Sequence, residues 1–372
     1  MFFKDIIGQQ NIKERLIRSV RDNRISHAQL FLGPEGCGNL PLALAYAQYV
    51  MCKDRQETDS CGTCPSCLKF RTLGHPDVHF SYPVILSAKV KVANDVVSTW
   101  RDAIDEQPYM TASYWYEKLG EDNKQGVIGV KGSDEIVKKL VLKSYEGDYK
   151  IMIIWLAEAM NIAAANKLLK IIEEPPNKTL FLLVSVDHEK IISTILSRTQ
   201  LIKINKLKDE EVTAALVQKN SVGEQEAMSI ASLADGNYLR ALKLLEEKHE
   251  ANFNFEHFRN WMRLCFKHDV LGTIDWVDTI ATLGRERQKN FLQFGLHIFR
   301  QSIAGSYGSE DMIRLQGEEL GFAKKFAPFI NGKNILKLSE EFNTAHYHIE
   351  RNANPKILFL DLSFKLFRLI KA

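Results

Sequence analysis

No apolar run in this 372-residue sequence approaches the roughly 18 residues that a membrane-spanning helix needs. No secretory leader is expected in the opening MFFKDIIGQQ either, because it carries acidic and polar residues too early. The expectation is a cytoplasmic protein with no membrane partner. Strong charge of either sign is lacking. Lys and Arg number 49 against 46 Asp and Glu, a net charge of +3 that neither demands nor excludes nucleic acid. The sequence has no low-complexity tract and no convincing internal repeat. Cysteines are few, six in all, yet four of them fall between positions 52 and 67. In a large intracellular chain, such a cluster favours a metal over disulfides.

The length suits two or three domains. In IIGQQNIKERLIRSVRDN, Ile12, Leu16 and Val20 recur at helical spacing. HAQLFL reads as a buried strand that runs into a glycine loop, and LPLALAYAQYVM as the helix after it. Pro41 is tolerable in the first turn of that helix. Beyond the cysteines, HPDVHFSYPV suggests a strand and DVVSTWRDAIDEQ a helix, while SYWYEKLGEDNKQG has the look of a surface excursion. SDEIVKKLVLKSYEG predicts a helix capped by Ser133, with Asp134 and Glu135 at its positive end. YKIMIIWL and TLFLLVSV are continuous apolar runs, as expected of central parallel strands. IAAANKLLKIIEE is a helix stopped by Pro175 and Pro176, EKIISTIL another helix, and QLIKI a last strand. Alternating strands and helices predict an α/β parallel sheet covered on both faces. After about residue 205 the strand signal fades, and KDEEVTAALVQKN, GEQEAMSIASLA and GNYLRALKLLEEK begin a helical remainder.

The cysteine spacing is Cys52-x8-Cys61-x2-Cys64-x2-Cys67. Two-residue gaps, helped by Gly62 and Pro65, let neighbouring thiolates turn toward one ion. Four thiolates suit Zn2+ and leave no open coordination position, so the zinc would be structural. His75 and His79 are alternative nitrogen donors nearby, but four cysteines already suffice, and both histidines read as ordinary loop or strand residues.

GPEGCGNL, residues 33–40, has the spacing of a phosphate-binding loop between a strand and a helix. Gly33, Pro34, Gly36 and Gly38 keep the turn. Asn39 stands where a Lys would reach the phosphates, and Leu40 where a hydroxyl would hold magnesium. Cys37 reads as a small buried filler. At the end of YKIMIIWL, Trp155 and Leu156 occupy the positions where ATPases place metal-binding and water-orienting acids. Glu158 lies just beyond, where a solvated loop carboxylate is expected. Losing these parts together removes ATP hydrolysis and leaves ATP binding open. In ILSRTQ, Ser197 and Arg198 precede the last strand. An arginine so placed can stabilise charge on a phosphate bound elsewhere, although an arginine there is more often a plain surface residue.

Taken together, IIGQQNIKERL, RISHAQLFLGPEGCG, the four cysteines, AAANKLLKIIEEPPNKTLFLLVS and ILSRTQ resemble the bacterial DNA polymerase III clamp-loader subunits of the AAA+ class. The resemblance is specific over residues 5–72 and 127–205. It is weaker over 205–250, and beyond that rests on helical character alone. It implies an AAA+ ATPase-like domain over 1–204 with a zinc module at 52–67, a small helical lid over 205–250, and an all-α collar for oligomerisation over 251–372. It further implies a place in a pentameric ring that opens a sliding clamp and loads it on primed DNA. Motor subunits of the tau/gamma type and a delta subunit would be the partners. The missing parts point to a member that does not turn over ATP. Ser197 and Arg198 match the family motif that supplies an arginine finger in trans, with Thr199 departing from the family's Cys. Arg240, offset by one position from a nucleotide-sensing arginine of the family, receives no such role. An active motor subunit and a zinc-dependent nucleic-acid-binding module are the alternatives. Robust ATP turnover by the isolated chain would favour the first, and tight salt-dependent DNA binding the second.

Overall fold

The computed structural model describes residues 1–120, 124–307, 315 and 317–370. It divides into two compact units, Met1–Leu245 and Glu246–Ala372.

In the first unit, β1 (Ala28–Leu32), β2 (Val78–Ser81), β3 (Lys150–Trp155), β4 (Thr179–Ser185) and β5 (Gln200–Lys203) form one sheet. Its order is β2-β3-β4-β1-β5, and every pairing is parallel. Every residue of β3 and β4 is buried, because the strands alternate between two apolar layers. Phe31, Ile153, Trp155, Leu182 and Val184 point into one layer, and Leu30, Met152, Ile154, Phe181 and Leu183 into the other. The first layer is closed by α1 (Gln10–Arg21), α2 (Asn39–Met51), α3 (Pro65–Arg71), α4 (Val97–Glu106) and α5 (Ala112–Lys118). All of α2 is buried, as a helix apolar on every side must be. The second layer is closed by α6 (Val130–Val141), α7 (Ile162–Glu173) and the single turn α8 (Ser193–Leu196).

Three expectations are corrected here. Part of the supposed surface excursion is α5, whose Trp115 is fully buried and donates its indole N–H to the Pro83 carbonyl at 2.8 Å. It packs in an aromatic cluster with Tyr82, Trp100 and Trp155. Residues 121–123 of that stretch lie outside the described residues. Ser133 does not cap α6. The helix begins three residues earlier, and the buried Ser133 hydroxyl donates to the Ala164 carbonyl of α7 at 2.9 Å. EKIISTIL forms only the one turn of α8.

Residues 207–245 carry α9 (Asp209–Asn220), α10 (Glu224–Ala234) and the start of α11 (Tyr238–Lys267). They enclose a separate small core around Leu216, Ile230 and Ala241, which also takes in Ile7. The second unit continues with α12 (Val270–Ala281), α13 (Arg285–Tyr307), α14 (Gly317–Phe326), α15 (Ile335–Glu350) and α16 (Pro355–Leu369). Its core is aromatic: Trp261 stacks on Trp276 at 4.5 Å, and the Trp261 indole N–H donates to the Ser363 hydroxyl at 2.8 Å.

Candidate functional site

The four clustered cysteines converge. Cys52 caps the end of α2, Cys61 and Cys64 lie in the following loop, and Cys67 sits in α3. Their sulfurs all lie within 4.8 Å of one another, and none forms a disulfide. Cys52 Sγ is 3.5 Å from Cys61 Sγ and 4.0 Å from Cys64 Sγ, and Cys61 Sγ is 4.0 Å from Cys67 Sγ. A tetrahedral ion with sulfurs at about 2.3 Å sets its ligands about 3.8 Å apart, so this donor set fits zinc. The amides help: Cys61 N–H donates to Cys52 Sγ and Cys64 N–H to Cys61 Sγ, both at 3.3 Å. Burial works to raise the Cys61 thiol, but the N–H groups of Cys64 and Thr63 outweigh it and bring it to about 6. Burial pushes Cys67 the other way, well above its ordinary value. A bound cation would let all four ionise together. His75 and His79 stay outside the cluster. The His75 Nε2 lies 3.3 Å from a Glu146 carboxylate oxygen, and burial draws His79 down to about 4.

The glycine loop runs from the end of β1 into α2, at the carboxyl edge of the sheet where open α/β folds bind ligands. Gly36 and Gly38 have φ of 73° and 93°, which a side chain would strain. The Gly33 N–H donates to the Ser185 carbonyl at the end of β4, 3.3 Å away. Asn39 turns back into the loop. Its amide nitrogen donates to the carbonyls of Gly33 (2.5 Å), Pro34 (3.3 Å) and Ser185 (3.4 Å). Leu40 is buried in the sheet layer and borders the cavity beside the loop, where its side chain brings no oxygen to a metal. Cys37 is fully buried with its thiol 3.5 Å from the Gly236 carbonyl, as a filler should be.

The loop is also covered. A Cβ added to Gly36 would lie 1.9 Å from Asn237 Oδ1, and the Tyr238 N–H donates to the Gly36 carbonyl at 3.2 Å. Tyr109 closes the other side, its hydroxyl accepting the Ile7 N–H at 2.9 Å and its ring 5.5 Å from that of Tyr238. The cavity left among Gly38, Asn39, Tyr109, Trp155 and Ser185 is about 30 Å³. One water needs about 10–15 Å³ on such a measure, whereas small-molecule pockets run to several hundred. Asn237 and Tyr109 could not be found by motif, since one lies in the small helical region and the other in the irregular stretch before α5. Their roles arise only from long-range packing.

Trp155 closes β3 with its ring 5.2 Å from that of Trp100, and Leu156 is buried in the left-handed region at φ 53°. Neither offers an oxygen to a metal or a water. Glu158 differs from the solvated loop carboxylate expected. It is half-buried, it accepts the Val186 N–H at 3.0 Å, and burial raises its pKa.

Arg198 follows α8 and precedes β5, with its side chain one-third exposed. Its Nε donates to Glu173 at the end of α7 (3.1 Å) and its Nη1 to the Thr194 carbonyl (3.1 Å). Nη1 also lies 3.4 Å from the Ser197 hydroxyl. The register pairs Gln200 with Gln29 and Lys203 with Leu32. Arg198 therefore lies at the amino edge of the sheet and the glycine loop at the carboxyl edge. Three strand residues alone separate them by about 10 Å. Arg240 is exposed, and its N–H donates to the Asn237 side chain at 3.1 Å.

Among the described residues, no helix is long and apolar enough to cross a membrane. The family model for the DNA polymerase III delta subunit matches residues 8–208. The delta′ subunit of DNA polymerase III from Bacillus subtilis is 27% identical over 316 residues, covering 83% of this chain and 81% of that protein. The delta′ subunit from Escherichia coli is 24% identical over 298 residues, covering 80% and 75%. The tau subunit from B. subtilis is 26% identical over 250 residues, 66% of this chain, and the match spans only 37% of the tau protein's length.

Proposed function

The chain belongs to the DNA polymerase III delta-subunit family, and from that premise we propose that it is a clamp-loader subunit of the delta′ kind, without ATP turnover of its own. Its three parts would be an AAA+-type core over 1–204, a lid over 205–250 and a collar over 251–372. Motor subunits of the tau/gamma kind and a delta subunit would complete the ring, and the ring would place a sliding clamp on primed DNA in the cytoplasm. The observation that carries the reading is the plugged glycine loop, with Asn39 bonded inward and about 30 Å³ left beside it. That space is small for a nucleoside triphosphate, and the side chains of Leu40, Trp155 and Leu156 bring no oxygen to hold its magnesium.

The proposal has a second half: Arg198, beside Ser197, would supply an arginine finger in trans to a neighbouring motor subunit. It lies at the edge of the sheet away from its own loop, so any phosphate it serves belongs to another subunit. Such a guanidinium acts on charge developing in the transition state. Its contact with the exposed Glu173 is weak enough to exchange, because surface pairs contribute about 0–1 kcal/mol. Cys52, Cys61, Cys64 and Cys67 would hold a structural zinc that pins α3 against the end of α2.

The test is reconstitution with motor and delta subunits, using wild-type chain or Arg198→Ala. The variant should assemble normally but lower ATP turnover at the one site it serves, by on the order of 10³. Unchanged DNA-dependent turnover would remove Arg198 from the mechanism. Magnesium-dependent turnover by the isolated wild-type chain would overturn the non-hydrolysing assignment.

A further inference from the structure

The second unit carries a concave apolar pocket that the proposed ring function does not use. Phe266 near the end of α11, Phe322 and Phe326 of α14, and Phe329 just beyond it line a cavity of about 240 Å³. The rings lie against one another. Phe266 lies 5.0 Å from Phe329, Phe322 lies 5.2 Å from Phe326, and Phe326 is 6.4 Å from the core ring of Phe258. Phe266 and Phe329 nevertheless leave 42% and 37% of their surface to solvent. The volume falls below the roughly 300–1,000 Å³ of small-molecule sites and suits one or two large side chains.

The rim is cationic. Arg263, Lys267 and Lys325 line the same pocket. Among the described residues, none of the three has a carboxylate partner. The contrast with Arg259 is direct. One turn earlier on α11, Arg259 is paired with Glu318 at 3.1 Å, while Arg263 beside the pocket is left open. Lys267 and Lys325 also stand in the last turns of their helices, where a cation is favoured anyway. Arg263 has no such explanation.

We propose that this pocket binds a short acidic segment of a partner protein, with a Phe, Leu or Trp inserted among the phenylalanines and carboxylates paired to Arg263, Lys267 and Lys325. An apolar anchor in a desolvated pocket supplies affinity, and the charged rim sets approach and register. Single-stranded nucleic acid would meet the cations equally well, but it stacks on rings presented along an open track. A pocket bounded by four rings gathered together favours an inserted side chain.

The test is selection from a random twelve-residue phage-displayed library, with the full-length chain as bait. Two variants serve beside it: Arg263→Glu with Lys325→Glu, and Phe266→Ser with Phe329→Ser. All four positions are exposed, and circular dichroism checks that the fold is kept. Wild type should enrich peptides of net negative charge that contain a large apolar residue. A labelled consensus peptide should bind each variant at least tenfold more weakly. The proposal fails if the enriched peptides lack acidic residues, if no peptide is enriched, or if both variants bind the consensus as wild type does. It also fails if a twenty-residue oligo-dT binds the pocket more tightly than the peptide and loses affinity in both variants, which would make this a nucleic-acid surface.

Discussion

Asn39 directs one amide nitrogen at three carbonyl oxygens, so its chemistry cannot be reversed without cost. Asn39→Asp replaces that donor by an acceptor in a buried place. The loss should be about 1–3 kcal/mol or somewhat more, given the charge, and a denaturant titration measures it. Asn39→Lys should not restore ATP turnover, even though it restores the motif. Asn237 and Tyr109 would still cover the loop, and Trp155 and Leu156 still offer no oxygen. Measurable hydrolysis by Asn39→Lys would show that the covering residues move aside readily. Glu173→Gln should leave stability within about 1 kcal/mol of wild type, since it removes only an exposed partner of Arg198.

Single elements carry further expectations. Removing zinc with a strong chelator, or substituting Cys61→Ser, should open residues 52–71 to protease while the parallel sheet keeps its circular dichroism. Elemental analysis of the native chain should return about one zinc. The loop before β3 offers a pH test. Burial would raise the Asp77 carboxyl, but the N–H groups of Tyr145, Glu146 and Gly147 outweigh it and hold it below the usual range. A folded pKa below the unfolded one means that this stabilisation is complete above the unfolded value of about 3.9. It is lost as the pH falls through the folded value. The protection factors for hydrogen exchange at 145–147, taken against the intrinsic rate at each pH, should therefore fall in acid, and Asp77→Asn should show the lower protection already at neutral pH.

The elements that could be read from sequence are those whose residues see one environment throughout. β3 and β4 are apolar at every position because both faces of the sheet are covered, and the four cysteines announce themselves by spacing. α5 was hidden because SYWYEK mixes a fully buried Trp115 with polar neighbours, and only the distant Pro83 carbonyl reveals what that indole bonds. Ser133 departs from its expected capping role for a related reason. A serine before an apolar run is usually a cap, but here its hydroxyl crosses to another helix. At the glycine loop the missing Lys and hydroxyl were legible, while the residues that fill the space were not, since they arrive from positions 109 and 237.

At the scale of the whole molecule, nucleotide should not stabilise the chain. A ligand at 100 times its dissociation constant adds about 2.7 kcal/mol to folding stability. A thermal melt with 5 mM magnesium ATP should therefore match one without it. A reproducible rise in Tm would show that the cavity beside Asn39 opens in solution.

The sheet also has direction. Its plugged loop lies at the carboxyl edge and Arg198 at the amino edge, held apart by strands that all run the same way. Subunits that join such unlike ends form head-to-tail contacts, which continue until a ring closes or something stops them. On the function proposed above, this chain would give an arginine to one neighbour and receive none. In a row of otherwise similar subunits it would be a terminus: it would fix where the series of firing sites ends, and make the count of those sites smaller than the count of chains.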